Sequence, residues 1–239
     1  MIADAGLRGR RLRVGGFVPF TSADYPGALA AVVFCQGCPW RCGYCHNPHL
    51  VAARGSAEHD FGAILAWLES RRGLLDAVVF SGGEPTAQAA LPEAMAEVRA
   101  RGFGVGLHTG GAYPRRLGKL IRFVDWVGID VKAPLAGYEG VTGSGQSGHV
   151  AWASLDRVLA AGISYEVRTT VHPTITPVAA LEKIASELAA RGVSRWVLQP
   201  FRPAGCANAD LVAAAPDASF DRHVLARLRR HVADIAIRD

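Results

Sequence analysis

Short apolar runs bounded by glycine, proline and aspartate recur along the chain, and each has a length that suits a buried β-strand. The six predicted strands are residues 29–34, 77–80, 105–107, 126–131, 165–171 and 196–198. Between them, apolar residues recur at helical spacing, in the groups Phe61/Ile64/Leu65/Leu68, Leu91/Met95/Val98, Leu155/Val158/Leu159 and Leu181/Ile184/Leu188. The pattern therefore predicts strands that alternate with helices along the chain.

Alternation of strand and helix predicts a mostly parallel sheet with right-handed crossovers, in an α/β fold. The periodicity leaves open whether that sheet forms a barrel or a doubly wound layer. In both arrangements, ligands bind at the carboxyl ends of the strands. Polar residues follow the predicted strands, as in Gly82-Gly83-Glu84-Pro85, His108-Thr109 and the pair Asp130 and Lys132. We therefore expect the functional residues to meet at one rim of the sheet.

We expect one domain over residues 1–239, because 239 residues suit a single large α/β unit. Residues 1–27 are interpreted as an extension, 28–201 as the β/α core, and 202–239 as a tail with a helix-like segment over 220–232. The glycine-rich segment 137–148 is predicted to be a loop.

Composition excludes several classes of protein. The chain is 50% apolar and 20% charged, so it has enough apolar residues for a sizeable core and is not disordered as a whole. Its net charge is +5, but the arginines are scattered along the sequence, and we expect no nucleic-acid partner. The sequence has no apolar run of about 18 residues and no apolar leader, so we expect a cytoplasmic protein without membrane contact.

Four of the five cysteines lie within residues 35–45, a clustering that points to metal binding rather than to a disulfide framework. Zinc ribbons separate their cysteine pairs by about 15 to 20 residues, and this spacing is much shorter. Cys38, Cys42 and Cys45 form a C-x3-C-x2-C pattern, which does not match the order of ferredoxin ligands. Three thiolates on a four-iron cluster would leave one iron open for chemistry. Cys35 ends an apolar run and is predicted to be a buried, inert thiol.

The C-x3-C-x-aromatic-C loop after the first strand and the Gly82-Gly83-Glu84-Pro85 turn after the second resemble the radical SAM superfamily. The resemblance implies a partial (β/α)6 barrel in which Cys38, Cys42 and Cys45 hold a 4Fe-4S cluster. It implies further that S-adenosyl-L-methionine chelates the fourth iron and that Tyr44 lies beside the adenine. The Gly82 to Pro85 element would contact the methionine end, where a carboxylate accepts hydrogen bonds from an ammonium.

Further motifs are similar to the activases of glycyl radical enzymes, in particular those of anaerobic ribonucleoside-triphosphate reductases. These motifs are Asp24-Tyr25-Pro26-Gly27, Cys45-His46-Asn47-Pro48, Asp130-Val131-Lys132, Arg168-Thr169-Thr170-Val171 and Leu198-Gln199-Pro200-Phe201. The resemblance implies that Asp130 and Lys132 contact the cofactor ribose and carboxylate, with Thr109 and Arg168 in the same site. It implies reductive cleavage of S-adenosylmethionine, a glycyl radical enzyme as the protein substrate, and an external one-electron donor such as flavodoxin or ferredoxin.

The sequence also departs from this group. Related activases often carry Asp-Thr-Asn-Gly where this chain has His108-Thr109-Gly110-Gly111, so we expect no monovalent cation there. His108 is interpreted either as a hydrogen-bond donor to cofactor or target, or as a structural residue. His46 is expected to order the cysteine loop, His172 to be structural, and Cys206 to be uninvolved.

Two alternatives remain open. The first is a radical SAM enzyme that acts on a small molecule, such as 7-carboxy-7-deazaguanine synthase, although members of that group commonly carry Cys-Asp-Thr where this chain has Cys45-His46-Asn47. The second is a non-catalytic iron-sulfur or zinc module, which would leave the Gly82 to Pro85 turn and the Asp130/Lys132 pair without a role.

Overall fold

A computed structural model describes residues 11–55, 59–215 and 220–238, and within these residues eight strands form one sheet. The strands are β1 (Val14–Thr21), β2 (Ala30–Cys35), β3 (Ala77–Gly82), β4 (Gly104–Thr109), β5 (Trp126–Asp130), β6 (Ser164–Val171), β7 (Arg195–Pro200) and β8 (Asp234–Ile237). Their order in the sheet follows their order in the chain. β1 is antiparallel to β2, and every later neighbouring pair is parallel.

The predicted α/β partial barrel is confirmed, and β2 to β7 correspond to the six predicted strands. Sequential order with parallel pairing winds the sheet in one direction, as in a β/α barrel. Within the described part of the chain, β1 pairs with β2 alone and β8 with β7 alone, so the barrel stays open between these two edges. The carboxyl ends of β2 to β7 consequently share one rim, which we call the upper rim.

The helices in the described residues are α1 (Phe61–Glu69), α2 (Leu91–Ala100), α3 (Pro114–Leu120), α4 (Tyr138–Thr142), α5 (Ser147–Ala161), α6 (Val178–Ala189), α7 (Ala209–Ala213) and α8 (Arg222–Leu228). The four helices predicted from apolar spacing are confirmed as α1, α2, α5 and α6. The short helices α3, α4 and α7 were not predicted, because five to seven residues are too few for a clear period.

The prediction of a loop over residues 137–148 is wrong, because this segment contains α4 and the first turn of α5. Tyr138 is fully buried, and Thr142 Oγ1 donates a hydrogen bond of 2.7 Å to Ser147 Oγ between the two helices. At Gly148, a Cβ atom would lie 2.4 Å from Leu135 O. Glycine in this segment therefore permits close packing rather than mobility.

The tail and the extension also differ from expectation. The predicted helix over 220–232 ends at Leu228, and the chain then forms β8 beside β7. Arg238, which follows β8, forms a two-pronged ion pair with the fully buried Glu166 of β6, with 2.8 Å from Nη2 to Oε2. The predicted extension contains β1, whose Phe17 packs edge-on against Trp67 of α1.

The sheet has two chemically different faces. Its outer face packs against the helices in one large apolar cluster that includes Val33, Phe80, Leu68, Leu155 and Ile184. The inner face of β2 and β3 forms a small separate cluster from Ala30, Val32, Ala77 and Val79, with Tyr25 packed against it. In the part of the chain that the structure describes, no helix combines the length and the apolar character that crossing a membrane requires.

Candidate active site

The cysteine loop follows β2 at the upper rim and is held by backbone contacts on both sides. Gly37 turns the chain at a φ of +99°, and its N–H donates to Leu50 O at 2.8 Å. The N–H of Cys38 donates to Val51 O at 3.0 Å, and that of Arg41 to Thr142 O at 2.9 Å. Cys38, Cys42 and Cys45 are partly exposed, whereas Cys35 is fully buried, as predicted.

The sulfur atoms surround a cavity. Cys38, Cys42 and Cys45 all line one cavity of about 240 Å³ at the upper rim. Within the described residues, no three metal-binding side chains converge closely enough to hold a single ion. Donors spread around a cavity suit a cluster of several iron atoms better than one zinc ion, and thiolates are the ligands such clusters use.

Burial raises the pKa of the Cys38 thiol to about 12 and that of the Cys42 thiol above its ordinary value. Without metal, the Cys38 and Cys42 thiols are therefore protonated at neutral pH. Bound iron favours the thiolate form, because a coordinating thiol loses its proton to the metal charge. The cysteine loop therefore fits a 4Fe-4S cluster by donor type and by arrangement.

The backbone of the turn after β3 is hydrogen-bonded to the chain at the start of the cysteine loop. Gly83 N–H donates to Cys35 O, and Glu84 N–H donates to Gly37 O, both at 2.9 Å. Gly82 has a φ of +112°, and a Cβ there would lie 2.4 Å from Cys35 N. At Gly83, a Cβ would lie 2.5 Å from Gly37 O. Both glycines are required by close approach of two backbones.

Glu84 joins the ends of β3 and β4. Its Oε1 accepts a hydrogen bond of 2.7 Å from Thr109 Oγ1, and its Oε2 accepts one of 2.9 Å from Gly110 N–H. Burial raises the pKa of this carboxyl, although the hydrogen bonds from Thr86, Thr109 and Gly110 oppose that rise. Glu84 thus fixes the turn after β4 while its side chain also lines the cavity.

Asp130, Lys132 and Arg168 form a charged group that lines the same cavity as the cysteines. Lys132 Nζ lies 3.0 Å from Asp130 Oδ2, and Arg168 Nε lies 3.1 Å from Asp130 Oδ1. Burial by itself would raise the pKa of Asp130, but the two cations outweigh it and lower the pKa to about 2. For Lys132, the neighbouring Asp130 outweighs burial and holds the pKa well above its ordinary value. Asp130 and Lys132 are therefore both charged at neutral pH.

Neighbouring residues fix the position of these charges. Lys132 Nζ lies 5.5 Å from the centre of the Tyr44 ring. Tyr138 accepts a hydrogen bond of 2.9 Å from Lys132 N–H and donates one of 3.2 Å to Asp130 O. At Gly128, a Cβ would lie 2.8 Å from Arg168 Cζ, so glycine there makes room for the guanidinium across β5.

The cavity brings together most of the residues predicted from sequence. Those that line it are Cys38, Cys42, Tyr44, Cys45, Gly82, Gly83, Glu84, Asp130, Lys132 and Arg168. Pro85 and Thr109 do not line the cavity, because Pro85 starts a buried turn and Thr109 points at Glu84. Sequence reasoning did not assign Trp40, Gly110 or Gln199 to the site, although all three line it. Trp40 lies in the cysteine loop, Gly110 directly follows β4, and Gln199 lies near the end of β7. These positions were the signal by which the three residues could have been predicted.

Three histidines donate side-chain hydrogen bonds to backbone carbonyl groups. His108 Nε2 donates to Asp24 O at 2.8 Å and packs against Trp126, so its hydrogen bond goes to the chain itself rather than to a ligand. His46 Nε2 donates to Arg202 O at 2.8 Å, and His172 Nε2 donates to Leu211 O at 3.0 Å. His46 and His172 therefore hold residues 201–215 over the cysteine loop. Cys206 Sγ lies 3.8 Å from Gly43 O and does not line the cavity.

Curated relatives include two glycyl-radical activases. A Methanocaldococcus jannaschii protein named as a glycyl-radical enzyme activating enzyme is 30% identical over 80% of this chain and 80% of its own length. The pyruvate formate-lyase-activating enzyme of Clostridium pasteurianum is 31% identical over 64% of this chain and 66% of its own length. A weaker match, to the 7-carboxy-7-deazaguanine synthase of Methanopyrus kandleri, is 32% identical over 47% of this chain and 53% of that protein.

Solved structures agree on the fold. Streptococcus suis SuiB bound to S-adenosylmethionine superposes with a TM-score of 0.62 at 10% identity, over 85% of this chain and 48% of that chain. The profile of the radical SAM superfamily matches residues 32–187, which is more than half of the chain. The chain therefore belongs to the radical SAM superfamily, an enzyme group that uses a 4Fe-4S cluster and S-adenosylmethionine, and it is similar to the glycyl-radical enzyme activases within it.

Proposed function

We propose that this protein activates an anaerobic ribonucleoside-triphosphate reductase by forming a glycyl radical on it. The observation that carries the proposal is one cavity that is lined both by three cysteines and by the charged side chains of Asp130, Lys132 and Arg168. Such a cavity matches a cofactor that has a sulfonium, an ammonium, a carboxylate and ribose hydroxyls. When bound, the cluster and S-adenosylmethionine supply one-electron cleavage of the sulfonium and the radical chemistry that removes hydrogen from glycine.

The three cysteines and the three charged residues have separate roles in this proposal. Cys38, Cys42 and Cys45 hold three irons and leave one open to the cofactor. Lys132 and Arg168 place two positive charges where a carboxylate would bind, because charge-assisted hydrogen bonds are stronger than neutral ones. Asp130 accepts hydrogen bonds from ribose hydroxyls, and its lowered pKa keeps it an acceptor at any pH at which the protein works.

The methionine end of the cofactor would bind at the turn after β3. Gly82 and Gly83 line the cavity, and the Glu84 carboxylate lines it beside them. Only Gly110 N–H donates to Glu84 Oε2 among the described residues, so this oxygen has capacity for an ammonium donor. Tyr44, held beside Lys132, offers an aromatic face to the adenine.

The choice of a protein substrate follows from the open edge of the barrel and from the motifs. Among the described residues, no strand pairing joins β1 to β8, and a polypeptide loop could reach the cavity through the gap between these two strands. The two activases among the curated relatives are named for glycyl-radical enzymes in general and for pyruvate formate-lyase. The preference for the ribonucleotide reductase rests on Cys45-His46-Asn47-Pro48 and the other motifs that resemble its activases.

The test is a radical assay under strict exclusion of oxygen. The reconstituted protein is mixed with S-adenosylmethionine, dithionite and either anaerobic ribonucleoside-triphosphate reductase or pyruvate formate-lyase. A glycyl-radical doublet in the electron paramagnetic resonance spectrum is expected with the reductase and not with pyruvate formate-lyase. The Cys42→Ala variant should lose iron and give no doublet, whereas Cys206→Ala, changed outside the cavity, should retain both.

The same assay separates the other interpretations. A doublet on pyruvate formate-lyase alone would keep the activase class and contradict the proposed partner. Turnover of a pterin without any protein partner would favour the deazaguanine synthase class. A preparation that binds colourless metal and cleaves no S-adenosylmethionine would contradict radical chemistry altogether.

A further inference from the structure

The outer surface of the cysteine loop is unusually basic. Residues 36–55 contain no aspartate or glutamate but contain Arg41 and Arg54. Two further arginines approach the same segment. Arg13 Nη2 lies 3.7 Å from the position of a Cβ on Gly37, and Arg202 O accepts the hydrogen bond from His46. We call Arg13, Arg41, Arg54 and Arg202 the arginine rim.

The arginine rim is exposed, and no carboxylate of the described residues pairs with it. All four residues are exposed, and within the described ranges none of them forms a salt bridge. Elsewhere the arginines commonly pair, as Arg99 does with Asp125 and Arg191 with Asp156. The described acidic residues on the adjoining α4 and α7 are Glu139 and Asp210.

The two sides of the cysteine loop face different surroundings. Its inner side lines the cavity that the cofactor would fill. Its outer side presents Pro39, Arg41 and Gly43 to solvent, alternating with the partly buried cysteines. An electron that enters from another protein therefore has its shortest path to the sulfur atoms through the outer side.

An apolar groove adjoins this surface. It has a volume of about 400 Å³ and begins at Gly43, next to Cys42, with Val141, Ile175 and Leu211 among its lining residues. A groove with an apolar floor beside a charged rim is the usual composition of a protein interface. Because Gly43 has no side chain, a partner seated in the groove would approach the backbone between two cluster ligands.

We propose that the arginine rim and this groove are the docking surface of an acidic one-electron carrier protein. The inference rests on the proposed function, because it assigns a route for the electron that S-adenosylmethionine cleavage requires. A flavodoxin in its hydroquinone form transfers one electron, becomes the semiquinone, and reduces the cluster from its 2+ to its 1+ state. Complementary charge on the two surfaces raises the rate of association and makes it dependent on salt.

The test compares two double variants of the reconstituted protein. Arg41→Glu/Arg202→Glu reverses two charges of the arginine rim through exposed side chains. Arg122→Glu/Arg230→Glu reverses two exposed arginines that precede β5 and β8, at the opposite end of the barrel. The probe is a strongly acidic flavodoxin, photoreduced for kinetics and oxidised for binding. The measurements are the rate of cluster bleaching in stopped flow and the dissociation constant by calorimetry.

We expect the rim variant to be reduced by flavodoxin about 10-fold more slowly or worse at low salt, with weaker binding to match. The difference should shrink at about 0.5 M salt, where the Debye length falls to a few ångströms. The control variant should stay within about twofold of the original protein. Unchanged rates and affinity in the rim variant, or equal losses in both variants, would overturn the proposal.

Dithionite distinguishes failure of docking from failure of the enzyme. Reduction by dithionite, and the S-adenosylmethionine cleavage that follows, should be equal in the rim variant and the original protein. If the original protein cleaves no S-adenosylmethionine with dithionite, the proposed function fails, while the binding data still decide the docking surface. If the rim variant binds flavodoxin normally but loses affinity for the glycyl radical partner, the surface belongs to that partner and the proposal is wrong.

Discussion

Strands β2 to β4 approach the cavity mainly with backbone groups, together with the Glu84 carboxylate, whereas β5 and β6 approach it with the charged side chains of Asp130 and Arg168. In the first half, Gly82 and Gly83 back the cysteine loop, and the inner face carries Ala30, Val32 and other small apolar residues. In the second half, Asp130 and Arg168 lie on the inner face, and Glu166 pairs with Arg238 below them.

The difference shows how one barrel can hold two unlike parts of a cofactor site. A cluster needs ligands on a loop that is fixed by its backbone, and close backbone packing requires glycine. A charged small molecule needs opposite charges in fixed positions, and these are stable when buried only if they are paired. Asp130 meets that need by holding Lys132 and Arg168 together on the cavity wall.

The strongest test of this comparison removes a charge from the second half. We expect Lys132→Met to weaken S-adenosylmethionine binding about 10- to 100-fold, because a charge-assisted contact contributes about 1.5 to 3 kcal/mol. Iron content should stay normal, since the cysteine loop is unchanged. The measurement is equilibrium binding of S-adenosylmethionine to the reconstituted protein. Lys183→Met, at an exposed position on α6, is the control. Full affinity in Lys132→Met would show that the charges of the second half do not bind the cofactor.

A backbone test addresses the first half. In Gly83→Ala, the new Cβ would lie 2.5 Å from Gly37 O, so the two backbones would have to separate. We expect a loss of about 1 to 3 kcal/mol in the free energy of unfolding, as for other overpacked sites, together with a lower iron content. Thermal unfolding and iron analysis measure the two effects.

Gly140→Ala is the matched control for that substitution. Gly140 lies in α4, and a Cβ there would meet no heavy atom within 4 Å. Alanine in a helix should be neutral or stabilising by up to about 1 kcal/mol. If both alanine variants had the same Tm and iron content, close backbone packing would not be what the first half contributes.

The smallest expected effect concerns the boundary between the halves, where His108 of β4 packs against Trp126 of β5. Burial, with Arg168 nearby, lowers the pKa of His108 to about 3. The unfolded chain takes up a proton near pH 6.5 and the folded chain does not, so stability is full above that pH and falls as the pH drops toward 3. His108 alone should cost about 1.4 kcal/mol of unfolding free energy between pH 7.5 and 5.5.

Urea unfolding at several pH values measures this dependence. The His108→Gln variant should show a smaller pH dependence of the free energy of unfolding, because glutamine can donate to Asp24 O without titrating. The control His149→Gln, at an exposed position, should leave that pH dependence unchanged. An unchanged slope in His108→Gln would mean that the pKa of His108 does not differ between the folded and the unfolded chain.

Most of the site could be predicted because its signals are local. The cysteine spacing, the Gly82-Gly83 pair and the Asp130/Lys132 pair each lie within a few residues of one strand end. The role of Glu84 as a link between β3 and β4 could not be predicted, since Thr109 is 25 residues away in the chain. The helices within 137–148 were missed because glycine usually indicates a loop, whereas at Gly148 it allows close packing against Leu135 O.

By itself, the amino-acid sequence determined the six core strands, the spacing of the cysteines and the rim at which polar residues meet, because apolar periodicity, residue spacing and strand ends are local properties. Only the tertiary structure decided that β1 and β8 extend the sheet and that Arg238 enters the barrel to pair with Glu166, 72 residues away. It also decided that Arg13 and Arg202, from distant parts of the chain, approach the segment that contains Arg41 and Arg54. Such pairings depend on which distant residues the fold brings within a few ångströms, and no pattern along the chain records that distance.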